Sequence, residues 1–322
     1  MTASATQGGR VPAREPDPPG DRTVLRRAGR FVDRHFAVLL VAPGLIWMMV
    51  LLVYPVALNL YYSVTNKSFQ YPNTSVVGFD NYAAFLSDPE FWRAAANSLI
   101  WTAASIVGQL AIGFVAALAV EGLARGRAVV RLLLIVPWMF SSIVLAAVWR
   151  LMLDELSGVT NAALMAIGII DQPIAFFGDG AYALGAVIVM NIWFGAPFMF
   201  LAFLAGMQTV SQDLYEAAVT DGAGYWRQVW HITLPALRPV VGTLVILRTI
   251  WVMNNLDFVY LTTGGGPRDA TMTLPLYAFR VGWAQFEVGR MAAVSVGMMI
   301  GLLALALILF RLMPIEGEED RN

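Results

Sequence analysis

The chain has 322 residues, of which 58% are hydrophobic and 13% are charged, and its formal net charge is −1. A nearly neutral chain has no overall field to attract nucleic acid, and the absence of cysteine excludes disulfide bonds, thiolate nucleophiles and cysteine-ligated metals. Apolar runs of about 20 residues, the length that crosses a lipid bilayer, recur along the sequence. The composition therefore predicts an all-α, polytopic membrane protein.

Residues 1–35 are predicted to form a disordered, basic N-terminus. The first 21 residues, MTASATQGGRVPAREPDPPGD, are rich in proline, glycine and charge, a composition that disfavours a packed core. Five arginines follow, just before the first apolar run. A signal peptide also starts with a basic region, but this leader is too long and no small-residue cleavage site clearly follows it.

Six apolar segments are predicted to cross the membrane as helices. Between the third and the fourth, residues 159–170 are apolar, but a dozen residues are too few for a span, which favours an interfacial or re-entrant helix. Residues 311–322 are predicted to form a cytoplasmic tail. The predicted spans are residues 36–58, 97–120, 129–151, 181–206, 240–261 and 291–310.

The distribution of basic residues predicts the orientation, because loops rich in lysine and arginine stay in the cytoplasm. The N-terminal flank carries five arginines and the loop after the second span carries three. The 59–96 loop has two basic residues and the 152–180 loop is purely acidic, so both are assigned to the outside. Both termini and the 207–239 loop are then cytoplasmic. The 262–290 loop, with three arginines, departs from this pattern.

The 207–239 loop is polar, although it lies between two apolar runs. From Glu216 it reads EAAVTDGAGYWRQVWHITLPALRP. Tyr215, Ala218 and Val219 share one helical face, the glycines of DGAG end that helix, and a second short amphipathic piece follows. The residues alone leave two interpretations open. The segment either rests on the lipid headgroups, or it docks its small, acidic face into a soluble partner.

This loop resembles the EAA loop of permease subunits from binding-protein-dependent ABC importers. It has the order E-A-A-x-x-D-G-A followed downstream by I-x-L-P. Three further segments agree with that family in order and spacing: VGFDNYAAFLSDPEFWRAAANSLIWTA, LDFVYLTTGGGP and VGRMAAVSV. The resemblance extends over about residues 36–310 and is greatest to the maltose-permease-like, sugar-permease branch. It implies the six-helix architecture of a type I ABC importer permease in a bacterial cell membrane.

The resemblance also implies a coupling helix that seats in a nucleotide-binding subunit. ATP and Mg²⁺ would bind to that separate subunit, because a P-loop needs Gly-Lys-Ser/Thr and Lys67, the single lysine of this chain, follows asparagine. The implied partners are a second homologous permease, two copies of the ATP-binding subunit and an extracytoplasmic solute-binding protein. The implied coupling residues are Tyr215, Glu216, Ala217, Ala218, Asp221 and Gly222.

Polar and aromatic residues form stripes in the fourth and fifth predicted spans, where polar groups are costly and usually face a cavity or another helix. Such residues suit carbohydrate binding, but they also serve as links between helices. The family resemblance implies that Asn191, Gly195, Phe198, Arg248 and Asn255 line the central cavity. The complete set of candidates for substrate binding is Asn191, Gly195, Phe198, Arg248, Trp251, Asn254 and Asn255.

The glycines of the 262–290 loop predict a flexible segment. The resemblance implies that Gly264, Gly265, Gly266 and Pro267 contact the solute-binding protein, although a plain turn explains them equally well. An ion-coupled secondary transporter is the alternative function. It predicts an inverted repeat and an intramembrane carboxylate. Asp257 is one such carboxylate, but the two halves of the sequence show no convincing repeat.

Overall fold

The structure is a computed structural model that describes residues 21–123 and 125–313, with side chains described at residue 38 and, within those ranges, from residue 40 onward. The regular secondary structure of these ranges is helical, apart from one antiparallel bridge between Thr65 and Val76. The predictions for residues 1–20 and for most of the C-terminal tail lie outside the described residues. The helices are α1 (Asp21–Ser63), α2 (Asp80–Leu86), α3 (Pro89–Glu121), α4 (Arg127–Ile135), α5 (Ser142–Met152), α6 (Val159–Ala166), α7 (Gly180–Met207), α8 (Gln212–Thr220), α9 (Tyr225–Gln228), α10 (Leu234–Ala236), α11 (Arg238–Met253), α12 (Asp257–Thr262), α13 (Leu274–Phe279) and α14 (Val288–Leu312).

The number of membrane-spanning elements agrees with the sequence prediction. The Leu40–Ser63 part of α1 and the whole of α3, α7 and α14 are each long and apolar enough to cross a membrane. Two further pairs of helical segments meet the same criterion jointly, Arg127–Met139 with Ser142–Met152 and Tyr225–Ala236 with Arg238–Met253. They are bent by 97° and 60°. Counting each bent pair as one span gives six.

The first helix is longer than predicted. α1 begins at Asp21, so the arginine-rich residues 21–35, which were assigned to a disordered segment, are helical. The chain divides into two compact units, residues up to Leu58 and residues from Asn59 onward. All of the structure described below belongs to the second unit.

The third predicted span is not one continuous helix. α4 passes into a short 3₁₀ turn, Val136–Met139, and the chain then bends before α5. Pro137 lies in this turn, where its ring and its missing N–H prevent the helix from continuing. Ser141 has extended backbone angles and its hydroxyl accepts a hydrogen bond from the Val144 amide at 3.5 Å, so it caps the new helix. The span predicted over residues 129–151 is therefore a bent pair of helices rather than one straight helix.

The fifth predicted span is interrupted near its outer end. α11 ends at Met253, and α12 starts four residues later. The Asn254 side chain donates to the Ile250 carbonyl at 2.8 Å, and the Asn255 side chain accepts from the Phe258 amide at 3.1 Å. The Asn255 side chain thereby satisfies an amide at the start of α12 that has no partner within the helix. The Asn254 side chain adds a second hydrogen bond to a carbonyl that already accepts one from the Asn254 backbone amide. The span predicted over residues 240–261 therefore contains a break between α11 and α12.

The core of the second unit is built on the packing of α3 against α7. A Cβ atom placed on Gly113 would lie 2.8 Å from the Phe200 backbone nitrogen, and one on Gly108 would meet the Ile192 side chain. The two helices therefore need glycine at these positions to approach so closely. One apolar cluster surrounds Trp101 near the predicted outer side, and a second surrounds Phe203 at the other end of the same helix pair.

α6 is too short to cross a membrane, as predicted for this region. Its eight residues extend about 12 Å at 1.5 Å per residue. Asn161 fixes the helix to the following loop, because its amide donates to the Ile174 carbonyl at 2.9 Å and accepts from the Ile174 amide at 3.0 Å.

Candidate substrate cavity and coupling surface

A buried polar cluster joins the three helices α3, α7 and α11. The Arg248 Nε donates to the Gln109 side-chain oxygen at 2.9 Å, and the Gln109 Nε2 donates to the Asn191 carbonyl at 3.0 Å. Arg248 is 4% exposed and Asn191 is 2% exposed. The structure therefore brings together two of the residues that the sequence placed on separate spans, and it adds a third, Gln109.

Gln109 was not among the sequence candidates, although a signal for it was present. Ser98, Thr102, Ser105 and Gln109 recur at i, i+4, i+7 and i+11 and form one polar stripe on α3. All four are buried. An intramembrane glutamine at the end of such a stripe is itself a functional candidate, and the spacing of this stripe in the second span is the signal that points to Gln109.

Gly195 provides the space that the buried cluster needs. A Cβ atom at this position would overlap the side-chain amide of Gln109 and the guanidinium group of Arg248. Glycine is therefore needed at this position of α7 because the side chains of Gln109 and Arg248 approach the helix backbone closely. Gly195 has no side chain with which to bind a ligand.

Aromatic rings enclose the guanidinium group. The Arg248 Cζ lies 5.9 Å from the centroid of the Phe198 ring and 5.7 Å from that of Trp251, distances at which a cation is attracted to a ring face. Trp138, at the bend between α4 and α5, stacks on Phe198 with the centroids 5.5 Å apart. Trp251 is 50% exposed, so this aromatic wall opens onto accessible space. Trp138 was also missed by the sequence analysis.

Asn254 and Asn255 do not join this cluster through any hydrogen bond of the described residues. Their side chains bond to the backbone at the break between α11 and α12, as described above. Asp257 follows directly and accepts a hydrogen bond from the Ser142 hydroxyl at 3.2 Å, which ties the break in the fifth span to the start of α5.

The proposed coupling segment forms a separate, well-capped helix. The Ser211 hydroxyl accepts from the Asp213 amide at the start of α8. At the other end, Gly222 has a φ of +76°, its amide donates to Val219 and the next amide donates to Ala218. This pattern is a Schellman motif, in which glycine avoids the clash of a Cβ atom in the left-handed conformation.

The six predicted coupling residues fall into two groups according to their exposure. Tyr215 is half-buried, and its hydroxyl lies 2.9 Å from the Thr233 hydroxyl in the segment that leads to α11. It therefore anchors the helix to its own chain. Ala218 is also half-buried. The four exposed candidates, available to a partner, are Glu216, Ala217, Asp221 and Gly222.

The glycine-rich outer loop is held firmly in place, which contradicts the prediction that it is flexible. Within the loop, the Thr271 hydroxyl donates to the Gly266 carbonyl at 2.9 Å. From α3, Asn97 donates to the Met272 carbonyl at 3.0 Å, and Ser98 accepts from the Leu274 amide at 2.8 Å. Of the four predicted contact residues, Gly265 is buried, Gly266 and Pro267 are half-buried, and Gly264 is exposed.

Two arginines of the 262–290 loop are paired with carboxylates. Arg280 lies 2.7 Å from Asp269, and Arg290 lies 2.7 Å from Asp88, the residue that caps α3. The rule that relates loops to the cytoplasm counts lysine and arginine and is little affected by acidic residues. These pairs therefore do not explain why this loop departs from the predicted asymmetry.

Tyr277 completes the second of these clusters. Its hydroxyl donates to the Asp88 carboxylate at 2.6 Å. Burial, with this hydrogen bond, raises the pKa of Tyr277 to about 12. Burial also acts to raise the pKa of Asp88, but hydrogen bonds from Tyr277, from the Glu90 amide and from Arg290 outweigh it and hold that pKa below its usual value.

A helical membrane protein with a buried polar cluster between its spans and an exposed, capped helix between two of them has the architecture of a membrane transport subunit. The comparison with protein families identifies it more closely. Residues 109–315 match the family described as "Binding-protein-dependent transport system inner membrane component". The chain belongs to this family.

Several curated relatives align over most of their length. The trehalose/maltose transport system permease protein MalF of Thermococcus litoralis is 33% identical, over 78% of this chain and 84% of the relative. The sulfoquinovosyl glycerol transport system permease protein SmoG of Agrobacterium fabrum is 34% identical, over 83% and 86%. The diacetylchitobiose uptake system permease protein DasB of Streptomyces coelicolor is 32% identical, over 77% and 76%.

Solved structures share the fold. One chain of a bacterial ABC transporter that imports the acidic polysaccharide alginate superposes with a TM-score of 0.74, at 22% identity, over 89% of this chain and 98% of that one. A chain of the bacterial alginate transporter in complex with its pentasaccharide-bound periplasmic protein gives 0.76, at 22% identity, over 87% and 94%.

Proposed function

We propose that this chain is a permease subunit of an ATP-driven importer of di- or oligosaccharides, and that α8 is its contact with the ATP-hydrolysing subunit. The observation that carries the proposal is the glycine-capped α8, which presents the exposed Ala217 with the carboxylates of Glu216 and Asp221 between two spans of a binding-protein-dependent permease. Because the alanine side chain is small, this face of α8 can fit closely into a groove of a partner. Its carboxylates can pair with basic groups there.

A continuous physical connection leads from α8 to the buried cluster. Tyr215 on α8 contacts Thr233, whose segment continues through α10 into α11. α11 carries Arg248, which is bonded to Gln109 on α3. A displacement of α8 on closure of the ATPase subunits would therefore move α11 relative to the α3–α7 pair. Such rigid-body movement of packed helices is a general route to alternating access.

The proposed assembly contains this chain, a second homologous permease, two copies of the ATP-binding subunit and an extracytoplasmic solute-binding protein. ATP and Mg²⁺ would bind to the ATP-binding subunits, because a standard P-loop lysine is missing from this sequence. The arginine distribution supports a multi-pass protein of the bacterial inner membrane with both termini in the cytoplasm. The outer loop at residues 264–267 is the proposed contact with the binding protein.

A carbohydrate substrate is supported by two independent observations. Relatives that align over three quarters or more of both chains are named for trehalose/maltose and diacetylchitobiose. The cluster in this chain combines ring faces with amide and guanidinium donors. The apolar faces of a sugar stack on aromatic rings, and its hydroxyl groups accept hydrogen bonds from such donors.

Co-purification and one substitution test the proposal. A tagged chain taken from its native membrane should bring down an ATP-hydrolysing subunit, and the loaded binding protein should stimulate hydrolysis. Gly222→Trp should abolish sugar uptake while the binding protein still docks, because the bulky side chain would stand on the exposed face of α8.

A second glycine provides the matched control. Gly126 also has a positive φ, +79°, and open space around it, and it lies in another loop predicted to be cytoplasmic. Gly126→Trp introduces the same backbone strain in a different loop and should leave uptake nearly unchanged. If Gly222→Trp transports sugar as well as the parent protein, α8 is not the coupling helix.

A further inference from the structure

Arg248 carries a positive charge inside the helix bundle with no carboxylate beside it. None of the ion pairs among the described residues includes it. Its Nε is bonded to the neutral amide of Gln109, and its two terminal nitrogens have no acceptor among the described residues. A guanidinium group keeps its charge in a protein, and a buried charge without a counter-charge is costly. The site is therefore built for an anion that the described part of the chain does not supply.

A second donor in the same cluster also lacks a partner. The Asn191 Nδ2 is buried and makes no hydrogen bond. Gln109 connects the two residues, since its oxygen accepts from Arg248 and its nitrogen donates to the Asn191 carbonyl. Gln109 is an uncharged amide, so it cannot neutralise the arginine. Buried donors without partners are rare in folded proteins, and each one calls for a ligand or a structural explanation.

The side chains around Arg248 suit a sugar that bears an acidic group. Phe198 and Trp251 flank the guanidinium group, and Trp251 is half exposed. A ligand that approaches past Trp251 would therefore contact a ring face as well as the positive charge. A planar guanidinium group binds a carboxylate, sulfonate or phosphate through two parallel hydrogen bonds. A neutral sugar hydroxyl would leave the charge unbalanced.

We propose that the imported carbohydrate is anionic, and that Arg248 binds its acidic group in the membrane cavity while the sugar ring packs against Trp251 and Phe198. The Asn191 side chain donates a further hydrogen bond to the same ligand. This inference rests on the proposed function as a carbohydrate importer and narrows its substrate class to sugar acids, sulfonated sugars or sugar phosphates.

The test uses the complete importer, reconstituted in liposomes with ATP inside and its binding protein outside. The probes are disaccharides of equal size that carry a carboxylate, a sulfonate, a phosphate or no charge, each supplied at a concentration that saturates the binding protein. We expect ATP-dependent uptake of at least one anionic probe, at a rate about tenfold or more above that of the neutral one. The three anionic probes identify which acidic group is preferred.

Substitutions then assign the selectivity to Arg248. Arg248→Gln should reduce anionic uptake by about ten- to hundredfold, the value of a charge-assisted hydrogen bond, while stimulation of ATP hydrolysis by the loaded binding protein persists. Arg248→Lys should retain an intermediate rate, because it keeps the charge and loses the paired geometry. The double variant Arg248→Met/Gln109→Leu removes both bonded partners, which preserves folding better than removal of one, and it should show the same loss of anionic uptake.

The outcomes separate this inference from the proposed function. If the neutral probe is imported as fast as the anionic ones, or if Arg248→Gln in an intact complex slows both equally, the anionic substrate is refuted and the sugar importer stands. If no probe is taken up in an ATP-dependent way although the binding protein is loaded, the importer function fails and the inference fails with it.

Discussion

Gly195→Ala tests the packing on which the buried cluster depends. The added Cβ would overlap the Gln109 amide and the Arg248 guanidinium group, and extra volume in a packed interior costs about 1–3 kcal/mol. Alanine is favoured over glycine within a helix by about 0.5–1 kcal/mol, which offsets part of that cost. We therefore expect a net destabilisation of about 0.5–2 kcal/mol, together with a displaced guanidinium group and slower sugar uptake.

Gly185→Ala on the same helix is the matched control. Gly185 is exposed and a Cβ atom there would meet nothing within 4 Å, so only the gain in helix propensity applies. Thermal unfolding of the purified complex should show a lower midpoint for Gly195→Ala and an equal or higher one for Gly185→Ala. The reasoning would be refuted if the two variants had the same midpoint and the same uptake rate, because the cluster would then not be sensitive to volume at Gly195.

Two further predictions concern the contact between α8 and Thr233 and the cluster around Tyr277. Tyr215→Phe removes the hydrogen bond to Thr233 and should cost about 0.5–1.5 kcal/mol of stability. Its main effect should be a lower amount of sugar taken up per ATP hydrolysed. Thr233→Val should have the same effect, and the double variant should show no further loss. At the outer cluster, the pKa of Tyr277 is raised from 10.0 to about 12, so its contribution to stability is complete below pH 10 and is lost as the pH rises towards 12. Tyr277→Phe should flatten the fall of the unfolding midpoint over that pH interval, and an unchanged profile would contradict this assignment.

The membrane spans could be read from the sequence because hydropathy is a local property. The breaks within the third and fifth spans were missed, although their causes are local too. Pro137 disfavours a helix and the Asn254–Asn255 pair is polar, so the sequence contains both signals. The high mean hydropathy of the residues around them nevertheless predicted continuous spans. The outer loop was predicted wrongly for a different reason. Its position depends on hydrogen bonds in which Asn97 donates to the Met272 carbonyl and Ser98 accepts from the Leu274 amide, each across more than 170 residues of chain. Composition alone cannot reveal such contacts.

The candidate site was predicted in part for similar reasons. Helical periodicity placed Asn191, Gly195 and Phe198 on one face of α7 and Arg248 on one face of α11, and the structure brings these faces together. Periodicity within one helix cannot say which neighbour a side chain meets. Gln109 lies on α3 and Trp138 lies at the α4–α5 bend, and neither was predicted as a site residue. Only the packing of these two elements shows that both side chains meet the cluster.

The position of α11 explains how one helix can serve both the coupling surface and the cavity. α3 and α7 approach too closely, at Gly113 and Gly108, to slide past one another without steric overlap, so we expect them to move as one body. α11 is attached to this pair through the Arg248–Gln109 hydrogen bond and through the packing of Leu244 in the apolar cluster around Phe203, and to α8 through the segment that contains Thr233. We expect movement of α8 either to carry the α3–α7 pair along or to change the Arg248–Gln109 contact. In the second case the anion-binding donors would be rearranged in the same step that opens the cavity, and release of the substrate would be coupled to the motion itself.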